Sequence, residues 1–167
     1  MARIYQPKRT STKLLEGATA GLLGGLAFVA VMLVADLLTP LRPWWSTFWL
    51  IGSIVTGTPL AEINRFNIVT LLVGLVLHLV VFALAGIGLV QYVPLFRRFK
   101  IAKEIGGAAY GVLVFLTLYW YLLSFLNANV GANMNYLALF LASVLGGGLM
   151  GWWLKRAAQT RAATQAA

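Results

Sequence analysis

The stretch Asn67–Tyr92, NIVTLLVGLVLHLVVFALAGIGLVQY, decides the fold: it is 26 residues long, carries no charge, and holds one histidine, His78, near its middle. At about 1.5 Å per residue it makes a helix of about 39 Å, longer than the roughly 30 Å hydrocarbon core of a bilayer. Three similar runs flank it, roughly Leu14–Leu38 (broken only by Glu16 and Asp36), Ile105–Leu126 and Asn133–Leu154. The chain therefore reads as a single domain over residues 1–167. It is an all-α integral membrane protein with four transmembrane helices over about 14–38, 67–92, 105–126 and 133–154.

Composition agrees. Hydrophobic residues make up 60% of the 167 and charged residues 10%, against about 25% charged in soluble domains. There is no cysteine, which removes disulfides, thiol catalysis and cysteine-held iron–sulfur clusters from this chain. The basic start before residue 14 has the look of a signal peptide. The apolar run behind it is too long for one and lacks a cleavage site, so it is expected to stay as the first helix.

The basic residues orient the bundle. Arg3, Lys8, Arg9 and Lys13 precede the first run; Arg97, Arg98, Lys100 and Lys103 separate the second and third; Lys155, Arg156 and Arg161 follow the fourth. These are eleven of thirteen, with only Arg42 and Arg65 on the other side. Short basic loops stay in the cytoplasm, so both termini and the middle loop are expected there, in a multi-pass protein of a bacterial inner membrane. Arg97, Arg98, Lys100 and Lys103 are expected to meet anionic lipid head groups. The net charge of +9 is confined to such flanks, and no nucleic-acid partner is expected.

Between the first two runs, Thr39-Pro40-Leu41-Arg42-Pro43 stops the first helix. In Pro43–Gly52, Trp45, Phe48, Trp49 and Gly52 share one helical face. A short interfacial helix is expected in this first outer loop, apolar face down in the head-group region, with Trp44, Trp45, Phe48 and Trp49 as interface aromatics. A turn-rich return follows to Asn64. The second helix is expected to end at Tyr92, followed by an interfacial Val93–Lys100 segment, and the tail Ala157–Ala167 to be loosely held.

Within the membrane, small residues recur at four-residue spacing: Gly17, Gly21 and Gly25; Gly107 and Gly111; Ser143, Gly147 and Gly151. Such stripes let helix backbones approach, either inside one bundle or against another subunit. All lie toward the basic end, which predicts a narrow waist there and bulk at the other end. Gly17–Gly21 and Gly107–Gly111 open corresponding helices, a short echo of a duplicated two-helix hairpin with parallel copies.

Ionisable residues at membrane depth usually face the bundle interior. His78 continues a seam through Thr70, Gly74, Val81, Ala85 and Gly88. It best suits a neutral hydrogen bond to a neighbouring helix; the other roles open to it are a proton carrier, a quinone donor or, least well, a haem ligand, which would need Met32, Met134, Met150 or a residue from another chain as second axial ligand. Asp36, one turn from the end of the first helix, is expected to be partly hydrated and to pair with Arg42 or Arg65. Glu16 and Glu104 suit the positive ends of their helices. Tyr119-Trp120-Tyr121 and Tyr136 join the tryptophans as an aromatic belt, or as a surface for a protein, a carotenoid or a quinone head group. His78, Asp36 and Tyr121 are thus the cofactor-binding candidates; no catalytic or metal-ligating set is expected.

The glycine-rich first helix (Gly17 to Gly25), Gly74 to His78 in the second, and the glycine-opened third (Gly107 to Gly111) resemble an uncharacterised family of bacterial four-helix membrane proteins. Those proteins look like small accessory subunits of respiratory or photosynthetic electron-transfer complexes, such as terminal oxidases or the quinol-oxidising alternative complex III. The resemblance implies a non-catalytic subunit with no intrinsic cofactor, bound lipid or quinone at its surface, and other integral membrane subunits as partners. The contrasting expectation is a small oligomeric transporter or channel using His78 and Asp36.

Overall fold

The computed structural model describes residues 8–40, 42–118, 133 and 135–166. These form five α-helices: α1 (Lys8–Leu38), α2 (Ser46–Thr56), α3 (Ile68–Arg98), α4 (Lys103–Leu116) and α5 (Tyr136–Ala166), with one 3-10 turn at Leu60–Glu62. Among the described residues there is no strand. Three helices are long and apolar enough to cross a membrane, within Thr12–Leu38, Ile68–Arg98 and Tyr136–Thr164. The expected fourth span begins as α4, while its far half and the Asn127–Ala132 turn lie outside the described residues, as do Arg3, Tyr121 and Met134.

Two helices outrun their expected ends. α3 passes through Pro94 to Arg98, where the sequence suggested a break after Tyr92. Pro94 removes one backbone donor and crowds the Val90 carbonyl, yet the helix continues past it to its Schellman-type ending. α5 carries the supposedly loose tail to Ala166, because its last turns are alanine-rich and free of glycine and proline. Arg161 also ties this extension to Glu16 of α1 through a 3.0 Å ion pair. Both return helices start on an asparagine. The Asn67 Oδ1 accepts from the amides of Val69 (3.0 Å) and Thr70 (3.2 Å), and the Asn135 Oδ1 from that of Ala138 (3.1 Å), supplying the first-turn partners a helix lacks.

Glycines set how the helices meet. A Cβ on Gly21 would stand 2.8 Å from the Ala83 Cα of α3, and one on Gly17 2.8 Å from the Ile87 Cα. In the second hairpin a Cβ on Gly111 would stand 3.0 Å from the Gly147 Cα, and one on Gly147 2.9 Å from the Gly111 Cα. The two pairings are alike in form: Gly86 stands against Gly17 and Gly21, and Gly147 against Gly107 and Gly111.

Two clusters fill the interior. At the end remote from the basic segments, Phe28 and Met32 of α1, Phe48, Trp49 and Leu50 of α2, and Ala138, Leu139 and Ala142 of α5 pack together. Toward the basic end the cluster is smaller: Ala20, Leu89, Met150 and Leu154.

Candidate functional site

The helix of the first loop is where sequence and structure part. The apolar face of α2 is turned onto α3 rather than left open. Ser46 through Leu50, Gly52 and Ser53 are buried, with Trp49 0% and Phe48 2% exposed. It packs antiparallel to the first turns of α3. A Cβ on Gly74 would sit 2.8 Å from the Gly52 nitrogen, and one on Gly52 3.0 Å from the Gly74 nitrogen. The interfacial reading weighted the indoles and overlooked Gly52, which allows backbone-to-backbone contact and so makes burial the better use of an apolar helix. Of the four interface aromatics only Trp44 is exposed; Trp45 is half-buried, its Nε1 donating to the Ile63 carbonyl at 3.2 Å and its ring against Phe66 at 5.1 Å.

Asp36 holds the start of α2. It is fully buried rather than partly hydrated. Its Oδ2 accepts from the Thr47 amide at 2.9 Å, while Trp45, at the N-cap position, gives no side-chain cap. A carboxylate from α1 thus neutralises the positive end of α2. Arg42 Nε lies 3.5 Å from Asp36 Oδ1 and donates to Ser46 Oγ at 2.7 Å; Arg42 also donates to the Asn133 carbonyl, bringing the start of α5 to the same place. Of the two cations the sequence offered Asp36, the structure brings Arg42. Among the described residues, Thr47 Oγ1 and Trp49 Nε1 are buried without a hydrogen-bond partner, and Asp36 Oδ1 has only its ion pair with Arg42.

His78 lies on the same side of α3, one turn beyond Gly74. It is buried, with Nε2 and the Gly25 carbonyl of α1 3.3 Å apart. Phe28, Phe48 and Phe82 surround the ring at centroid distances of 4.6, 5.4 and 4.5 Å. The buried face of α3 runs Thr70, Gly74, His78, Gly86 and Leu89, not through Val81, Ala85 and Gly88. Its first part, Thr70 and Gly74, meets α2, and its later part, His78 and Gly86, meets α1. Met32 belongs to the core cluster of the α2 end and Met150 to that of the basic end.

The small-residue stripes face one another inside the chain: Gly17, Gly21 and Gly25 against α3, and Gly107 and Gly111 against Ser143, Gly147 and Gly151. Sequence reading missed a second row, Gly24 of α1 on Gly146 of α5. Its signal was present as glycine pairs, Gly24-Gly25 and Gly146-Gly147, which give one helix two close faces.

At the opposite end, ion pairs gather the cationic segments. Lys155 Nζ meets Glu104 Oε1 at 2.6 Å, and Arg161 meets Glu16. The bond from Lys155 holds the Glu104 carboxyl below its ordinary range. Lys103 is not the free head-group ligand the sequence suggested. It is half-buried and donates to the Leu154 carbonyl at 3.3 Å, and burial first, then repulsion from Arg97 and Arg161, lowers its pKa. Arg97, Arg98 and Lys100 are exposed.

Searches for related proteins found no matching family model, curated protein or solved structure.

Proposed function

We propose that this chain is a non-catalytic accessory subunit of a bacterial inner-membrane electron-transfer complex, of the quinol-oxidising or terminal-oxidase type. In this reading it spans the membrane four times, with both termini and the α3–α4 turn in the cytoplasm, and carries lipid or quinone at its surface. One observation supports it above others: the side chains capable of chemistry hold helices together. Three of the four carboxylates, Glu16, Asp36 and Glu104, each grip a cation from another segment, and the single histidine sits against a backbone carbonyl of α1. The orientation rests on the basic end, where short cationic loops are retained on the cytoplasmic side.

Purification in mild detergent tests the assignment. Recovery with haem- or iron–sulfur-bearing chains is the expected result, and migration as a lone species overturns it. Sidedness is tested separately: a maleimide that does not cross membranes, applied to intact cells, leaves Phe99→Cys unlabelled and labels Trp44→Cys.

The transporter reading retains one specific support. A short helix packed inside a bundle is a form that carriers use, turning the ends of broken helices toward an ion or solute. Flux through proteoliposomes that disappears in both Asp36→Asn and His78→Phe would establish it in place of the subunit reading.

A further inference from the structure

The α3–α4 turn is built in a way that its fold alone does not require. The Lys100 amide donates to the Arg97 carbonyl at 3.2 Å and the Ile101 amide to that of Phe96 at 2.9 Å, the paired bonds of a Schellman ending. Its left-handed residue is ordinarily glycine, yet here it is Lys100, at φ 54°. A side chain in that conformation costs about 1 kcal/mol. None of the ion pairs among the described residues uses Lys100, Arg97 or Arg98. Beside these cations Phe99 is 62% exposed and Ile101 41%, with the Arg98 guanidinium 6.0 Å from the Phe99 ring centroid. Exposed Tyr92, Leu95 and Ile105 continue the apolar surface toward the bundle.

We propose that Arg97, Arg98 and Lys100 form a seat for the phosphate of an anionic phospholipid, whose acyl chains run along Tyr92, Leu95 and Ile105. A soluble anion would use the cations and leave Phe99 and Ile101 in water; a lipid uses both. Around this turn Arg97, Arg98, Lys100, Lys103, Lys155, Arg156 and Arg161 outnumber the carboxylates Glu16 and Glu104, and an anion would relieve their mutual repulsion. The site deepens the proposed membrane reading and rests on this end lying at a leaflet surface, whichever side that is.

The test is lipid retention by the purified full chain, taken from symmetric phosphatidylcholine–phosphatidylglycerol bilayers and read by native mass spectrometry. The parent is expected to keep phosphatidylglycerol preferentially. Arg97→Gln, Arg98→Gln and Lys100→Gly should each reduce that preference about fivefold, while Arg65→Gln at the other end leaves it intact. Because glycine relieves the strained turn, Lys100→Gly should also melt higher in phosphatidylcholine alone, which shows that its lipid loss is not misfolding. Unchanged preference in the triple variant, or displacement of the lipid by equimolar glycerol phosphate, overturns the proposal. Symmetric bilayers make the result independent of sidedness, and retention is read on the isolated chain, so neither a wrong topology nor a missing partner complex can produce this failure.

Discussion

Gly74→Ala should lift α2 out of its slot. The added methyl would stand 2.8 Å from the Gly52 nitrogen and 2.9 Å from the Phe48 carbonyl carbon, nearer still to the Phe48 oxygen. Ordinary contacts of this kind lie at about 3.5–4.0 Å, so the two backbones must separate by about 1 Å, enough to forfeit a quarter to a half of each facing contact. The obstacle is main chain on both sides and no rotamer change relieves it. Overpacking of this sort costs about 1–3 kcal/mol, which for a chain of this size is a fall of roughly 3–10 °C in Tm. The matched control is Gly148→Ala, whose new methyl has only the Glu104 oxygen near it, at 3.9 Å; it should be neutral or slightly stabilising. Since the chain has no cysteine, Leu50→Cys, fully buried in α2, supplies a site-specific report. Maleimide should react with it faster in the Gly74→Ala background than in the Gly148→Ala one. Equal melting temperatures and equal protection in the two backgrounds would refute the packing argument.

Asp36→Ala should cost about 3–5 kcal/mol, because it strands Arg42 and uncaps α2, whereas Asp36→Asn keeps an acceptor for the Thr47 amide and should lose less; equal losses by thermal melting would count against the capping role. His78→Phe should fold with a stability within about 1.5 kcal/mol of the parent, as the ring space is kept and one hydrogen bond is lost. A larger loss would mean that the imidazole does more than hold α1. The Glu104 carboxyl is held below its ordinary value of 4.5 by Lys155, so the stabilisation it provides is present above that value and fades as the pH falls through its lowered folded-state value. Melting followed from pH 7 downward should show an acid limb that is shallower in Glu104→Gln; identical limbs would dismiss the pair.

The long helices were legible because desolvation acts on composition alone: Asn67–Tyr92 can be placed without knowing its neighbours. Gly17 with Gly21, and Gly107 with Gly111, were legible as close-packing rows, though not the partners they meet, since spacing describes one helix and contact needs two. α2 was located but misplaced. Trp45, Phe48 and Trp49 on one face describe an interfacial helix as well as a buried one, and the deciding contact, Gly52 on Gly74, joins residues on two separate helices. Asp36 was expected to be partly hydrated and paired with Arg42 or Arg65; that it would be buried and cap a helix beginning at Ser46 depends on the path of the chain between α1 and α2, which no periodicity encodes. Lys100 gave no sign in the sequence, because its backbone angle is visible only in the folded turn.

The main partners of α2 are synthesised after it. Thr70 and Gly74, which meet Gly52 and Phe48, follow within α3. When Ser46–Thr56 leaves the ribosome the slot they form does not yet exist, so α2 can be seated only after the chain has been made past Gly74.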